Sequence, residues 1–164
     1  MIFRKAVIED VFEIDKIIED AKLRLKEMGI DQWQNGYPNR ESTVSDISNE
    51  TLYVLCDDHH IVAITTVIKT LEPCYRSIDG AWGSEGDYLT LHRVATAQNR
   101  VNNGVGTHLF EAIQSLYPNT TIRIDTHREN LPMKRLLEKC GFVYRGIILL
   151  EDGAPRDAFD WIPH

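Results

Sequence analysis

The stretch LHRVATAQNRVNNGVGTHLF, residues 91–110, decides the fold. It begins inside the alternating run Tyr88–Thr96, which predicts a buried strand, and it ends in a segment whose apolar residues recur at helical spacing. Between them lies a polar loop that closes on Gly104-Val105-Gly106. The free N–H groups and the positive dipole end of a helix that starts there form an anion site, and the glycines leave the backbone accessible to a diphosphate. The same letters also fit a plain Asn103-Gly104 turn that binds no ligand.

Hydrophobic periodicity places the remaining elements on either side of this stretch. We predict strands at 2–6, 52–56, 61–69, 88–96, 121–126, 142–150 and 158–162, and helices from about 9 to 28, 41 to 49, 105 to 117 and 130 to 140. Residues 71–87, with Pro73 and three glycines, predict a long loop, of a kind that often lines a functional site. This order predicts an α/β (α+β) domain with a mixed sheet of about seven strands and about four helices on its faces.

Composition limits the classes of protein to which this chain can belong. Its 164 residues suit a single domain, 1–164, which buries roughly 70% of its unfolded surface without disulfides or a structural metal. The formal net charge of -7 argues against binding to nucleic acid or to an anionic membrane, because both need clustered Lys and Arg. The three cysteines are widely spaced, so we expect reduced thiols and a cytoplasmic location. No apolar run approaches the ~20 residues of a membrane span, and the first residues do not resemble a signal peptide.

Two common phosphate-binding motifs do not fit the glycine segment. A P-loop requires Gly-Lys-Ser/Thr, whereas Gly106 is followed by Thr107 and His108. A dinucleotide fingerprint requires a third glycine where this chain has Leu109, although Asp125 stands about 20 residues further on, where a ribose-binding acid is expected. That fingerprint normally opens its fold, whereas two predicted helices and three predicted strands come first here. A dinucleotide-dependent oxidoreductase is therefore the most distant alternative.

The glycine segment and a second segment, ENLPMKRLLEKCGF at 129–142, together resemble a known family. VATAQNRVNNGVGTHLF resembles the acyl-CoA-binding motif Q/R-x-x-G-x-G/A of the GNAT superfamily of N-acetyltransferases, and the second segment resembles its later motif N-x-x-A-x-x-L-Y-x-K-x-GF. The element order also fits this family, in which the mixed sheet is mostly antiparallel, so the resemblance spans nearly the whole chain. There are two departures: Val101 stands at the Q/R position, next to Arg100, and Leu137 stands where the family has its general-acid tyrosine.

The resemblance implies that acetyl-CoA is the co-substrate. Val94, Ala95 and Thr96 would pair through their backbone with the pantetheine arm, and a backbone N–H near Val94–Ala95 would polarise the thioester carbonyl. Asn130 and Met133 would contact the arm from the later helix. The pyrophosphate would lie against Val101, Asn102, Asn103, Gly104, Val105, Gly106 and Thr107.

Acetyl transfer to an amine gains from a group that takes up the proton of the amine. His92, on the predicted central strand, is our candidate for this base, with a partly buried core histidine as the alternative. Glu85, just before the strand, would act through water or else belong to a solvated acidic loop. Tyr144 would replace the missing acid or else pack in the core like other strand aromatics. We expect no metal site, because His59-His60 lies at a hairpin tip without a third ligand.

These observations predict an N-acetyltransferase that transfers an acetyl group from acetyl-CoA to a primary amine by direct attack in a ternary complex. The acceptor would be a small molecule or a peptide, and the loop aromatics Trp33, Tyr37 and Trp82 would either bind it or cover the core. The alternative is a non-catalytic acyl-CoA-binding or sensing domain, which Leu137 favours. An exposed C-terminal strand pair would also support a homodimer.

Overall fold

The computed structural model describes all 164 residues, in four α-helices and eight strands. The helices are α1 (Val11–Glu27), α2 (Arg40–Ser48), α3 (Val105–Leu116) and α4 (Leu131–Lys139). The strands are β1 (Ile2–Lys5), β2 (Leu52–Asp57), β3 (His60–Ile68), β4 (Asp79–Gly80), β5 (Tyr88–Thr96), β6 (Thr121–Thr126), β7 (Val143–Leu149) and β8 (Pro155–Trp161). None of the helices has the length and apolar character needed to cross a membrane.

The strands form one mixed sheet in the order β1-β2-β3-β5-β6-β8-β7-β4. β5 pairs with β6 in parallel, from Tyr88↔Thr121 to Thr90↔Arg123. The pairs β1–β2, β2–β3, β6–β8, β7–β8 and β4–β7 are antiparallel. The predicted mixed, mostly antiparallel sheet with four helices is therefore confirmed, with eight strands in place of the expected seven.

The chain forms two compact units. The first consists of Met1–Val67 and His92–Ala112, and the second of Ile68–Leu91 and Ile113–His164. In the first unit, α1 buries the apolar stripe that its helical periodicity predicts, in a core shared with β2 and β3. Burying each large side chain of such a stripe contributes about 1.5–3 kcal/mol, which is what holds α1 on the sheet.

A two-residue turn joins β2 to β3. Asp57 pairs with His60, and Asp58 and His59 have positive φ angles of 50° and 68°. Two left-handed residues make a type I′ turn, whose twist matches the strands that it connects. The predicted hairpin is thus confirmed, but His60 is the first residue of β3, whereas the sequence pattern placed it in the turn.

The segment 71–87 is not a structureless loop. Pro73–Tyr75 forms a 3-10 turn, and β4 pairs Gly80 directly with Gly146 of β7. A Cβ built on Gly80 would lie 2.1 Å from the carbonyl oxygen of Arg145, so only glycine lets the two backbones approach this closely. The sequence pattern assigned this glycine to a loop, because a two-residue strand has no periodicity of its own.

The last hairpin is longer than the sequence predicts. β8 begins at Pro155 instead of residue 158, because Leu149 pairs with Pro155 and the Leu150 N–H donates to the Ala154 carbonyl at 2.8 Å. Proline is rare inside sheets, and the sequence pattern therefore extended the turn past it. As the first residue of a strand, however, proline loses no ladder hydrogen bond.

A carboxylate with little exposure fixes the start of α1. Asp10 accepts hydrogen bonds from both terminal guanidinium nitrogens of Arg4, at 2.8 and 3.0 Å, and from the Val7 N–H at 2.8 Å. The hydrogen bonds from Arg4 lower the pKa of Asp10, because they stabilise its ionised form. β1 is thereby tied to the helix that follows it.

Asp10→Asn should lower the free energy of unfolding at pH 7 by roughly 1–2 kcal/mol, since a charge-assisted pair is lost. The pKa of Asp10 is lower in the folded chain than in the unfolded one. Its stabilisation is therefore present above the unfolded pKa and disappears as the pH falls through the folded pKa. Urea unfolding at pH 7 and at pH 3 measures this, and the difference between variant and wild type should shrink at pH 3.

The matched control for this experiment is Asp20→Asn, which removes the more exposed pair with Lys16 within α1. It should change stability little at either pH. An equal loss for Asp10→Asn at both pH values would contradict the electrostatic explanation.

Candidate active site

The loop between β5 and α3 has the backbone geometry of an anion site. A 3-10 turn, Gln98–Arg100, is followed by Asn102 and Gly104, whose φ angles of 67° and 77° are left-handed. Asn103 and Val105 are not left-handed, and such alternation is found in the anion-binding concavities called nests, but the Asn103 N–H itself donates to the Arg100 carbonyl at 3.2 Å. The tip of the loop is exposed, so the concavity is open to solvent.

Gly104 also opens α3. The His108 N–H donates to the Gly104 carbonyl at 3.2 Å, so the N–H groups of residues 105–107 precede the first helical hydrogen bonds and have no partner within the helix. A Cβ built on Gly104 would meet nothing within 4 Å, so its left-handed φ, rather than crowding, is what favours glycine there. Val105 is buried and anchors the first turn.

Two arginines hold the ends of this loop. Arg24 of α1 donates to the Thr96 carbonyl at 3.0 Å and to Gln98 Oε1 at 2.5 Å. Arg100 donates to Asp57, and this hydrogen bond lowers the pKa of the Asp57 carboxyl. Arg100 is therefore already engaged in an ion pair, while the N–H groups of residues 105–107 have no partner within the helix.

β5 changes character after Thr90, where its parallel ladder with β6 ends. The side chain of His92 is half-buried, and its carbonyl accepts a hydrogen bond from Thr65 Oγ1 at 3.4 Å. Arg93 then has a left-handed φ of 54°, which interrupts the alternation of the strand. The first unit thus carries on one continuous segment the predicted site residues His92, Val94, Ala95, Thr96, Val101, Asn102, Asn103, Gly104, Val105, Gly106 and Thr107.

In the second unit, Asn130 caps helix α4. Its Oδ1 accepts a hydrogen bond from the Met133 N–H at 3.3 Å, which satisfies one free donor of the first turn. The two residues expected to contact the pantetheine arm thus also hold each other. Leu137, at the position of the family's tyrosine, is 0% exposed and belongs to the core, so a side chain there is enclosed by protein.

The candidate groups Glu85 and Tyr144 are both exposed. Tyr144 of β7 is 47% exposed, and its ring lies edge-on to Phe159 with centroids 5.7 Å apart, so it is not a buried core aromatic. Glu85 lies in the exposed segment before β5. Both side chains are accessible to solvent, and their catalytic roles stay predictions.

The second unit contains an arginine enclosed by aromatic rings, Arg123, which the sequence pattern did not predict. Arg123 of β6 lies between the rings of Trp82 and Tyr88, 4.2 and 4.0 Å from their centroids, and donates to the Ser84 carbonyl at 3.0 Å. Burial lowers the pKa of Arg123, while the faces of the two rings favour its charge. Trp82 therefore binds an internal cation, and no local signal shows this because its partner lies on a distant strand.

The other two loop aromatics differ in exposure. Trp33 is partly buried against the core of the first unit. Tyr37 is 47% exposed, and its hydroxyl accepts a hydrogen bond from Arg93. Of the three aromatics considered for acceptor binding, Tyr37 is the most exposed, but the Arg93 guanidinium lies over its ring, 5.7 Å from the centroid.

Comparisons with known proteins bear on this fold and site. The model of the family described as "Acetyltransferase (GNAT) family" matches residues 17–142. A GNAT-family acetyltransferase from Streptococcus agalactiae is 30% identical with a TM-score of 0.94, covering 99% of this chain and 95% of its own. One from Bacillus cereus is 19% identical with a TM-score of 0.68, covering 99% and 97%. Aminoglycoside acetyltransferase AAC(6')-Ib, in complex with coenzyme A and kanamycin, is 19% identical with a TM-score of 0.69, covering 98% and 93%. No curated protein matches the sequence significantly.

The fold and the glycine loop thus define an acyltransferase of the mixed α/β class. The chain belongs to the GNAT family of acetyltransferases. The matched range includes the glycine loop and the later helix, the two segments that carry the resemblance in the sequence. The expected enzyme class is confirmed, and acetyl-CoA is the co-substrate typical of this family.

Leu137→Tyr should not create a catalytic acid. Because Leu137 is fully buried, a tyrosine there must displace its neighbours, at about 1–3 kcal/mol in the free energy of unfolding. Urea unfolding measures that loss, and thiol release from acetyl-CoA measures activity, which should not rise. Leu136→Tyr, at a partly exposed neighbouring position, is the matched control and should be better tolerated. A stable Leu137→Tyr variant with a higher kcat would contradict this assignment of the position to the core.

Proposed function

We propose that this chain is a single-domain N-acetyltransferase that transfers the acetyl group of acetyl-CoA to a primary amine. The observation that carries the proposal is the exposed loop that opens α3, where left-handed Asn102 and Gly104 form a concavity beside the N–H groups of residues 105–107, which have no partner within the helix. Such a concavity suits a pyrophosphate. Because the chain has a net charge of -7, it must bind an anionic co-substrate through local donors of this kind.

β5 supports the proposal through the part of its backbone edge that lies beyond its ladder with β6. That ladder ends at Thr90, so Val94 and Ala95 lie past it, whereas the Thr96 carbonyl accepts a hydrogen bond from Arg24. A pantetheine arm carries amides of its own and pairs with such an edge in the manner of an added strand. Asn130 and Met133 remain predicted contacts of the same arm.

The proposed reaction is a direct displacement. The amine nitrogen attacks the thioester carbonyl carbon, a C–N bond forms, the C–S bond breaks, and coenzyme A leaves as a thiolate that takes up a proton. His92 is the proposed base for the proton of the amine, since imidazole exchanges protons readily near neutral pH. A backbone N–H near Val94–Ala95 would stabilise the oxyanion. Glu85, through water, and Tyr144, as the acid, are the further candidates.

The acceptor is proposed to be a small-molecule or peptide amine. The acceptor panel contains polyamines, aralkylamines, aminoglycosides, amino acids and peptide N-termini. The Tyr37 ring already has the Arg93 guanidinium 5.7 Å from its centroid, so its exposed hydroxyl edge, rather than its face, is open to an acceptor.

Thiol release with acetyl-CoA and each amine of this panel tests the function. Thermal stabilisation by acetyl-CoA and none by NAD(H) is expected alongside, because only the former matches the loop and the family. Binding of acetyl-CoA without thiol release for any amine would favour the alternative, a non-catalytic acyl-CoA-binding or sensing domain.

Asn103→Asp should weaken acetyl-CoA binding at least ~10-fold, because it places a negative charge in the concavity proposed for the pyrophosphate. Folding should be unaffected, since Asn103 is exposed. Isothermal titration at low salt measures the change, and Asn119→Asp, at an exposed position of the second unit, controls for net charge. Equal affinities in the two variants would place the pyrophosphate elsewhere.

His92→Ala should lower kcat/KM at least ~10-fold near neutral pH while acetyl-CoA affinity is kept. The physical reason is that only proton removal from the amine depends on the imidazole. Steady-state kinetics across pH measures the effect, with His164→Ala, an exposed histidine at the end of the chain, as the control. A pH–rate profile equal to that of the wild type would exclude His92 as the base.

We also propose a cytoplasmic location and a homodimer. None of the three cysteines forms a disulfide, which is the state expected in a reducing compartment. Val143, Ile147 and Leu149 of β7 are exposed, and a second copy would cover these apolar side chains. Size-exclusion chromatography with light scattering measures the oligomeric state.

A further inference from the structure

Arg93 has an unusual backbone conformation for its place in the fold. It carries a Cβ and stands in the middle of β5, yet its φ is 54°. A left-handed conformation is unfavourable for such a residue, and it interrupts the extended backbone of the strand; we call this interruption the bulge in β5. Conformations of this kind persist only where their surroundings hold them, and they cluster at functional sites.

Three partners hold the Arg93 side chain. Its Nε donates to Asp46 Oδ2 at 2.6 Å and to Thr66 Oγ1 at 3.3 Å, and its Nη1 donates to the Tyr37 hydroxyl. Thr66 Oγ1 also donates to Asp46 Oδ2, at 2.9 Å. The Arg93 and Asp46 side chains are only 13% and 12% exposed, so water screens the pair weakly.

These contacts join β5 to three other parts of the first unit. Asp46 lies on α2, Thr66 on β3, and Tyr37 in the loop between α1 and α2. Only the planar fork of an arginine donates in the Nε and Nη1 directions at once, whereas a lysine has a single nitrogen. The bulge in β5 and the loop that carries the exposed Tyr37 ring are therefore held by one guanidinium.

We propose that Arg93 is a positioning residue. It aligns β5, the strand proposed to bind the acyl donor, with the loop between α1 and α2, which we assign to the acceptor side. Held by Asp46 and Thr66, it keeps the bulge in place, so that a backbone N–H near Val94–Ala95 is available to the thioester carbonyl. Through the hydroxyl and the ring of Tyr37, which lies 5.7 Å from the guanidinium, it fixes the loop between α1 and α2, whose aromatics are the candidates for the acceptor side. The inference rests on the acetyl transfer proposed above, and it assigns to Tyr37 the part of holding the loop on the acceptor side.

A purely structural role for Arg93 leads to a different expectation. If Arg93 served only to stabilise the fold, its hydrogen bonds to Asp46 and Thr66 would be enough to pair the guanidinium. The hydrogen bond to the half-exposed Tyr37 hydroxyl would then add little to the free energy of unfolding. Loss of that hydroxyl would then leave the kinetics unchanged. In our proposal the same loss loosens the loop alone, so it changes the KM of the amine and not that of acetyl-CoA.

The test compares Arg93→Lys and Tyr37→Phe with Arg40→Lys, which alters the more exposed pair that Arg40 of α2 forms with Asp15 of α1. Kinetics with acetyl-CoA and the amine varied separately are combined with hydrogen exchange of the amides in 31–39 and 93–97. Arg93→Lys should lower kcat at least ~10-fold with the acetyl-CoA KM within about 2-fold, and should speed exchange in both segments. Tyr37→Phe should raise the amine KM about 3–10-fold and speed exchange in 31–39 alone. Arg40→Lys should change none of these.

Unchanged kcat and unchanged exchange at 93–97 in Arg93→Lys would overturn the proposal, and so would an equal effect of Arg40→Lys. If Arg93→Lys fails to fold, Tyr37→Phe decides: an amine KM and a 31–39 exchange equal to those of the wild type overturn it. Failure of the proposed function is distinguishable, since the wild type itself would then release no thiol with any amine. The exchange measurements need no activity and still report whether Arg93 holds the bulge and the loop.

Discussion

The parallel ladder between β5 and β6 is short, and the arrangement of the candidate site depends on where this ladder ends. It joins Tyr88–Thr90 to Thr121–Arg123, after which β5 continues through the left-handed Arg93 to Thr96. Backbone N–H and C=O groups must be paired or solvated, so a strand edge released from its ladder suits a ligand that carries amides. In our proposal that ligand is the pantetheine arm of acetyl-CoA. The pyrophosphate of acetyl-CoA then lies against the loop that follows the same strand.

Each unit uses a shielded charge to hold a loop on the sheet. In the first, Arg93 pairs with Asp46. In the second, the fully buried Asp160 accepts hydrogen bonds from Arg145 Nε and from the Gly83 N–H, both at 2.7 Å, which fastens the segment 71–87. Removing one partner of a buried pair leaves an uncompensated charge, at about 3–5 kcal/mol. Several carboxylates of this acidic chain thus serve internal pairs, and anion binding is left to backbone N–H groups.

The elements that were predictable are those with a strong local signal. α1 shows helical spacing of apolar residues over a long run. The β2–β3 hairpin has a polar turn between two β-rich runs, and the loop before α3 contains two glycines. β4 was not predictable, because its two residues exist as a strand only through the contact of Gly80 with Gly146. The early start of β8 was missed for a related reason, since only its pairing with β7 shows that Pro155 belongs to the strand.

By itself, the sequence determined the family, the order of the elements and the segment that carries the candidate anion loop, because each of these depends on spacing along the chain. Only the tertiary structure decided that Leu137 is enclosed in the core and that Arg123 fills the space beside Trp82. It also decided that Arg93 is held by Asp46 and Tyr37. The physical reason is the same in each case: these contacts join residues from distant elements, and their partners are selected by how the elements pack rather than by any local pattern.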